Sequence, residues 1–346
     1  MKALVHTAPY RFEYTDVDEP PVGPDDLLVR VQACGICGSD VHGYTGETGR
    51  RIPPVIMGHE AAGIVEAVGA DVRRFRVGDR VCFDSTVYCN RCEACRKGRY
   101  NHCARRQVLG VSVPAFRRDG AMAELVSVPW WIAAPIPETM SFVEASLLEP
   151  VSIGLHAVNR ARVGGSDAVV IIGAGTIGLC VLQAVRLQSP RWIVVSDLND
   201  ARLALAMELG ADVTINPGRE DLSEIVRDVT EGQGADVTFE VVGFGKTVEQ
   251  AVGIARTGGR VILVGNLEKR IGLDLQEIIS KEISLIGSYA SAGEYRQSID
   301  LVASGQIDVT RLASEVRPLS EGQACFDRLY RAEDNLIKII LEPDHE

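Results

Sequence analysis

The chain has no surplus of positive charge, no apolar leader and no internal repeat, and each absence narrows what it can be. Its formal net charge is −11 over 346 residues. That balance argues against nonspecific binding to nucleic acid or an anionic membrane surface, and for simple solubility. The opening Met-Lys-Ala-Leu-Val-His-Thr-Ala-Pro-Tyr has neither a long apolar core nor a small-residue cleavage pattern, so no signal peptide is expected. No tract is of low complexity. No membrane span is expected either, although residues 168–185 run eighteen long without a charge, a length that normally raises the question. They read Ala-Val-Val-Ile-Ile, Gly-Ala-Gly-Thr-Ile-Gly, Leu-Cys-Val-Leu-Gln-Ala-Val: a short β-branched strand, a glycine turn and a buried helix of a soluble fold. The cysteines number nine, an odd count that suits a reducing cytoplasm better than a disulfide framework.

Four of those cysteines are the strongest positive signal. Cys89, Cys92, Cys95 and Cys103 form two successive C-x-x-C steps and a fourth cysteine eight residues on. One loop can wrap such thiolates around a tetrahedral ion, and zinc is the default for an all-sulfur cage. Two disulfides, or four unrelated buried cysteines, are the plainer alternatives, and an intracellular chain would not normally oxidise them. With no position open to water, this zinc is expected to be structural, its binding free energy becoming local folding free energy.

At 346 residues two domains are expected. The first 150 or so residues carry short β-rich runs (2–7, 26–33, 63–68 and 79–83) punctuated by Pro and Gly, the texture of a barrel-like β domain. Ser141, with Glu144 three residues on, marks a helix start. Beyond Asp167, strands at 168–172, 192–196, 236–242 and 260–264 alternate with helical patterns such as 200–209 and 246–256, a βαβ rhythm that specifies a parallel sheet. The last fifty-odd residues read as helix and then strand (335–341), returning to the first domain.

Gly173-Ala-Gly175-Thr-Ile-Gly178 follows a strand and opens a helix. Its glycines permit a tight turn, close approach of backbone to a pyrophosphate, and close helix–strand packing, with the anion at the helix N-terminus. Asp197 closes the next strand, nineteen residues after Gly178, where a carboxylate holds both adenosine ribose hydroxyls and repels a 2′-phosphate. NAD is therefore expected over NADP; an empty Rossmann-like domain, or one binding another nucleotide, is the alternative. Gly243 and Gly265, with Val264 beside the latter, stand at strand ends where the nicotinamide could lie against backbone, although turn duty would explain the glycines equally.

Two further clusters hold good metal ligands: Cys34-Gly-Ile-Cys37-Gly-Ser39-Asp40-Val-His42 and Gly58-His59-Glu60. Glu149 lies in the apolar run Ser-Leu-Leu-Glu149-Pro-Val, and a carboxylate there is costly unless paired or metal-bound. Singly, a cysteine is usually core and a His-Glu pair usually surface. Together they suggest an open catalytic zinc with a place for substrate.

With these elements in hand the whole chain resembles the zinc-containing medium-chain dehydrogenases/reductases. The Gly-Ile-Cys-Gly-Ser-Asp-Val-His, Gly-His-Glu, four-cysteine and Leu-Glu-Pro-Val-Ser-Ile-Gly-Leu-His elements look like the sorbitol (polyol) dehydrogenase branch. The resemblance implies a GroES-like catalytic domain (1–153, completed by 290–346) and a Rossmann NAD-binding domain with a doubly wound parallel sheet (154–289), the active site lying in the cleft between them. It implies two zincs per chain. The catalytic one is held by Cys37, His59 and either Glu60 or Glu149, directly or through the zinc water. It further implies Ser39 and His42 as a proton relay, Ile177 over the pyrophosphate, Arg202 near the adenosine, and a homo-oligomer, tetramer or dimer, in the cytoplasm. Cys34 is expected to be a small core residue. The expected activity is oxidation of a small-molecule secondary alcohol to a ketone. A threonine-type amino-alcohol dehydrogenase is the enzymatic alternative, and a catalytically silent zinc- and NAD-binding protein the other. Two departures count against sorbitol itself: Gly287-Ser-Tyr-Ala290 lacks an arginine that sorbitol dehydrogenases carry there, and Gly43-Tyr44 replaces their Tyr-Trp pair. Tyr44, Phe116 and Tyr289 are candidate pocket walls, with core packing an equal possibility.

Overall fold

The structure, a computed structural model, describes residues 1–344. The chain forms two compact units, Met1–Glu149 with the chain from Ser291 onward, and Pro150–Ala290. The first division falls at 149/150, inside the helix Leu148–Ala161, and not after residue 153.

The first unit is β-rich. Its largest sheet has seven strands, and the long strand Asp26–Gly35 lies at the centre, mostly buried and paired on both sides. Glu60–Val68 pairs with it antiparallel, setting Gly35 opposite Glu60. From the far end of the sequence, Lys338–Glu342 pairs with it too, setting Ile340 opposite Gly35. Those two pairings deliver the residues that matter for chemistry. A three-stranded sheet, Arg11–Asp16, Lys2–Ala8 and Val55–Ile56, closes one side. The helix Phe142–Ser146 begins with a full capping box, Ser141 Oγ accepting from Glu144 N while the Glu144 carboxylate accepts from Ser141 N. Tyr44 belongs to the core of this unit. Its ring stacks on Phe12 and its hydroxyl donates to Asp327 Oδ1 at 2.7 Å, so it is no pocket wall. Phe116 lies under the Arg106 guanidinium, and Tyr289 is exposed.

The second unit is a six-stranded, all-parallel sheet. Its spatial order is Val213–Ile215, Trp192–Ser196, Ala168–Ile172, Ala235–Glu240, Ala255–Leu263, Ser284–Gly287, the 3-2-1-4-5-6 order of the Rossmann fold. Ala168–Ile172 is buried along its whole length, as a central parallel strand between helical layers must be. The uncharged run therefore splits into this strand and the helix Thr176–Arg186; among the described residues no helix is long and apolar enough to cross a membrane.

Several element boundaries differ from the sequence reading, three of them with a visible cause or consequence. The fourth strand ends at Glu240 because the Glu240 carboxylate turns back to accept from the amides of Val242 and Gly243. The helix expected over 246–256 stops at Gly253, and a strand already begins at Ala255. The last strand starts at Lys338 because Asp334 and Asn335 adopt left-handed backbone, with φ of 54° and 56°.

Asp84 follows the strand Arg80–Phe83 and is buried; it accepts from Thr86 N at 2.8 Å and from Ser291 Oγ at 3.3 Å. Burial pushes its carboxyl up to about 7 from an ordinary 3.8. The folded state thus favours the protonated acid, so its contribution to stability is full below about 4 and is lost as pH rises through about 7. Asp84→Asn keeps an acceptor for Thr86 N but does not titrate. The variant should gain melting temperature relative to wild type between pH 5 and pH 8, and an unchanged difference across that range would contradict the assignment.

Candidate functional site

Cys37 caps the short helix Gly38–Tyr44, its sulfur accepting from Ser39 N at 3.4 Å and from Ser39 Oγ at 3.3 Å. Ser39 and His42 follow one turn apart on that helix and both are exposed. His59 enters just before the strand Glu60–Val68. Gly58 sets its position: at φ +95° a side chain there would meet Cys34 Sγ at 2.7 Å and Met122 N at 2.9 Å. Cys34 is accordingly a packed core thiol. These approaches bring Cys37, His59 and Glu60 together, with a ligand atom of each within 4.8 Å of the others.

Burial dominates the electrostatics. Asp40 and Glu60 are fully buried, Glu149 nearly so. Glu60 faces Lys338, whose Nζ donates to Oε1 at 2.7 Å and to Oε2 at 2.5 Å. Burial by itself lowers the lysine, but the charge of Glu60 prevails and holds it above its ordinary value. Glu149 accepts from Ser85 Oγ at 2.8 Å; burial lifts its carboxyl to about 8, and burial likewise lifts the Cys37 thiol to about 12. Asp40 Oδ2 lies 3.4 Å from His59 Nδ1, a charge-distance approach and not a hydrogen bond. Without a cation the buried thiol and acid keep their protons at neutral pH. A divalent cation reverses that preference, since its ligands must be deprotonated. A soft thiolate, an imidazole and a carboxylate are the donors zinc prefers. The residues present therefore fit the metal.

The four-cysteine loop fits a second. Cys89, Cys92, Cys95 and Cys103 bring their sulfurs within 4.8 Å of one another, with 3.4 Å between Cys92 and Cys95. None of the nine cysteines, all among the described residues, is in a disulfide.

In the second unit Gly175 caps the helix Thr176–Arg186, and a Cβ there would meet nothing within 4 Å. That is an open cradle at a helix N-terminus, the geometry a pyrophosphate needs. Gly178, by contrast, lies against Gly173 O, and a side chain at Gly173 would meet Val242 Cγ2 at 2.8 Å. Asp197 accepts from Ala174 N at 2.7 Å and from Asn199 N at 2.8 Å, so the acid that would meet a ribose also braces the glycine turn. Ile177, Arg202 and Val264 are half-buried near these elements. Gly265 packs directly on the backbone of Gly243, which itself has φ +95°; mutual close approach accounts for both glycines.

Comparison with known proteins gives the family. Residues 23–138 match the alcohol dehydrogenase GroES-like domain and residues 176–304 the zinc-binding dehydrogenase family. Sorbitol dehydrogenase of Bacillus subtilis (strain 168) is 34% identical, over 99% of this chain and 98% of that protein. The chain is a zinc-containing medium-chain dehydrogenase/reductase of the polyol dehydrogenase branch. L-idonate 5-dehydrogenase of Vitis vinifera is 38% identical, over 85% of this chain and 81% of its own length. Among solved structures, a zinc-binding dehydrogenase from Sinorhizobium meliloti 1021 bound to NADP superposes on this dehydrogenase with a TM-score of 0.91 at 34% identity, covering 99% of both chains.

Sequence reasoning missed Lys338 and Arg51, which the structure buries against Glu60 and Asp40 in this cluster. Lys338 had a signal: a lone charge in the apolar strand Ile-Lys-Ile-Ile-Leu, which must find a buried partner. Its removal is a direct test. Lys338→Met leaves Glu60 an unpaired buried charge and should destabilise the metal-free dehydrogenase by about 3–5 kcal/mol in chemical denaturation. A loss below about 1 kcal/mol would show that the pair is not held as described.

Proposed function

We propose that the chain oxidises a secondary alcohol of a polyol, cyclitol or sugar alcohol to the ketone, with NAD⁺ as acceptor. As a zinc dehydrogenase of this family it is an oxidoreductase acting on CH–OH donors. The observation that carries the reading is the convergence of Cys37, His59 and Glu60 at ligand distance, with Ser39 Oγ 3.3 Å from the Cys37 sulfur. When bound, zinc supplies a Lewis acid for the alcohol oxygen and the nicotinamide an acceptor for the hydride.

The chain's own residues do the rest. Cys37 and His59 hold the metal, with a carboxylate from Glu60 or Glu149. Glu60 lies at ligand distance but already answers Lys338, and Glu149 is the second acid whose proton a cation displaces. Ser39 would relay the alcohol's proton, its Oγ accepting it while its own hydroxyl proton passes on toward His42. His42, one turn on and exposed, passes it to water. Partial burial lowers its pKa below the ordinary 6.5, so its imidazole is neutral at pH 7 and free to accept. Asp197, fixed by the amides of Ala174 and Asn199, meets the adenosine ribose and repels a 2′-phosphate, which supports NAD over NADP; Ile177, Arg202, Val264 and Gly265 complete the coenzyme contacts. Cys89, Cys92, Cys95 and Cys103 hold the structural zinc. Nine cysteines without a disulfide are in keeping with a cytoplasmic setting.

The test is reduction of NAD⁺, and of NADP⁺ in parallel, across polyols, cyclitols, sugar phosphates, threonine and simple secondary alcohols. One substrate class should turn over, with NAD⁺ preferred, and activity should vanish on chelation and in Cys37→Ala. Turnover that survives both treatments would overturn the reading.

A homo-oligomer, dimer or tetramer, is also proposed. Its support is the edge strand Ser284–Gly287 and the preceding helix Leu275–Ser280, which leave Leu275 66% and Ile279 65% exposed beside an unpaired sheet edge. Open apolar edges of this kind invite pairing with a second chain. Sedimentation should show a dimer or tetramer that Leu275→Glu with Ile279→Glu dissociates; a wild-type monomer at micromolar concentration contradicts it.

A further inference from the structure

Arg51 comes from the loop between the helix Gly38–Tyr44 and the strand Val55–Ile56, yet its side chain is only 4% exposed. The loop is clamped on both sides of it by one buried serine: Ser112 N donates to Arg50 O at 3.2 Å, and Ile52 N donates to Ser112 Oγ. Its aliphatic stem runs against Gly43, where a Cβ would approach Arg51 Cβ to 3.0 Å and its Cγ still more closely. Only glycine leaves that lane open. The guanidinium then forks. Nε and one terminal nitrogen both donate to Asp40 Oδ1, at 3.1 and 2.8 Å, and the same terminal nitrogen donates to Ser39 Oγ at 3.2 Å.

The division of labour at Asp40 is the informative part. Both arginine bonds fall on Oδ1, so Oδ2 accepts no bond and stands 3.4 Å from His59 Nδ1, the two buried atoms facing each other without a hydrogen bond in the metal-free protein. One planar cation therefore fixes the rotation of the carboxylate that faces the histidine, and also holds the hydroxyl that lies 3.3 Å from the Cys37 sulfur. We propose that Arg51 is a positioning residue for the metal centre: through Asp40 it holds His59 with Nε2 presented to zinc, and through Ser39 it holds the first group of the proton path. A lysine is no substitute, because an ammonium is a point donor without the planar fork that this geometry uses. The inference rests on the reading that Cys37 and His59 ligate zinc.

Partners that orient a metal-bound histidine typically contribute about 10–100-fold to metal affinity. The experiment compares wild type, Arg51→Met and Arg51→Lys, each stripped of metal and reloaded with zinc, by chelator competition and by melting with and without zinc. Both variants should bind the weaker of two zincs about 10–100-fold less tightly, Arg51→Met more so, while the four-cysteine zinc is unchanged. The rise in melting temperature on adding that zinc should shrink. A merely structural role would lower stripped and loaded protein equally, and wild-type zinc affinity in a folded Arg51→Lys or Arg51→Met would overturn the proposal. If Arg51→Met does not fold, Arg51→Lys alone decides it. These readouts need no substrate: failure of the substrate reading leaves the zinc shift intact, whereas failure of the metal reading shows as no second zinc in wild type.

Discussion

A surplus of buried acidic groups over buried cations is the constraint on which the first unit is organised. Cys37, Asp40, Glu60 and Glu149 converge on one dry region, and the cations packed among them are Arg51 and Lys338. Arg51 answers Asp40 and Lys338 answers Glu60. The thiol and Glu149 are left to keep their protons or to meet a further cation, as the upward push on both shows. Ionised groups without partners are expensive in such surroundings, so a divalent ion bound there would displace those protons and balance the charge that results.

That constraint explains the topology around it. Lys338 and Glu60 lie 278 residues apart, and they meet because two strands flank Asp26–Gly35 in fixed register. Gly35, opposite Glu60, has no side chain, and a Cβ there would collide with the Glu60 carboxylate. The chain's return to its first unit thus completes the charge balance of the site as well as the sheet. In the second unit the logic is different. There the glycine turn leaves open space at a helix N-terminus, and Asp197 braces that turn while standing where a ribose would come.

Features carried by local spacing were legible in the sequence. The four cysteines lie within fifteen residues, and their sulfurs cluster as spacing requires; the strand Ala168–Ile172 and the capping box at Ser141 appear where their patterns put them. Features made by tertiary register were not. Nothing in Gly-Arg-Arg51 marks one of two adjacent arginines as buried, because that outcome depends on the bare backbone of Gly43 and on Ser112. The end of the strand at Glu240 was missed for a similar reason: a side chain turning back to its own amides leaves no trace in hydrophobic pattern. Sequence left Tyr44 open between pocket wall and core; a hydroxyl partner on a distant helix, Asp327, decides for the core.

The most direct measurement is calorimetric titration of zinc into the metal-stripped protein, repeated in buffers of different ionisation enthalpy to count released protons. The account predicts two zincs per chain, proton release on filling each, and loss of one site only in His59→Ala. A single zinc in the wild type, or two retained in His59→Ala, would contradict it.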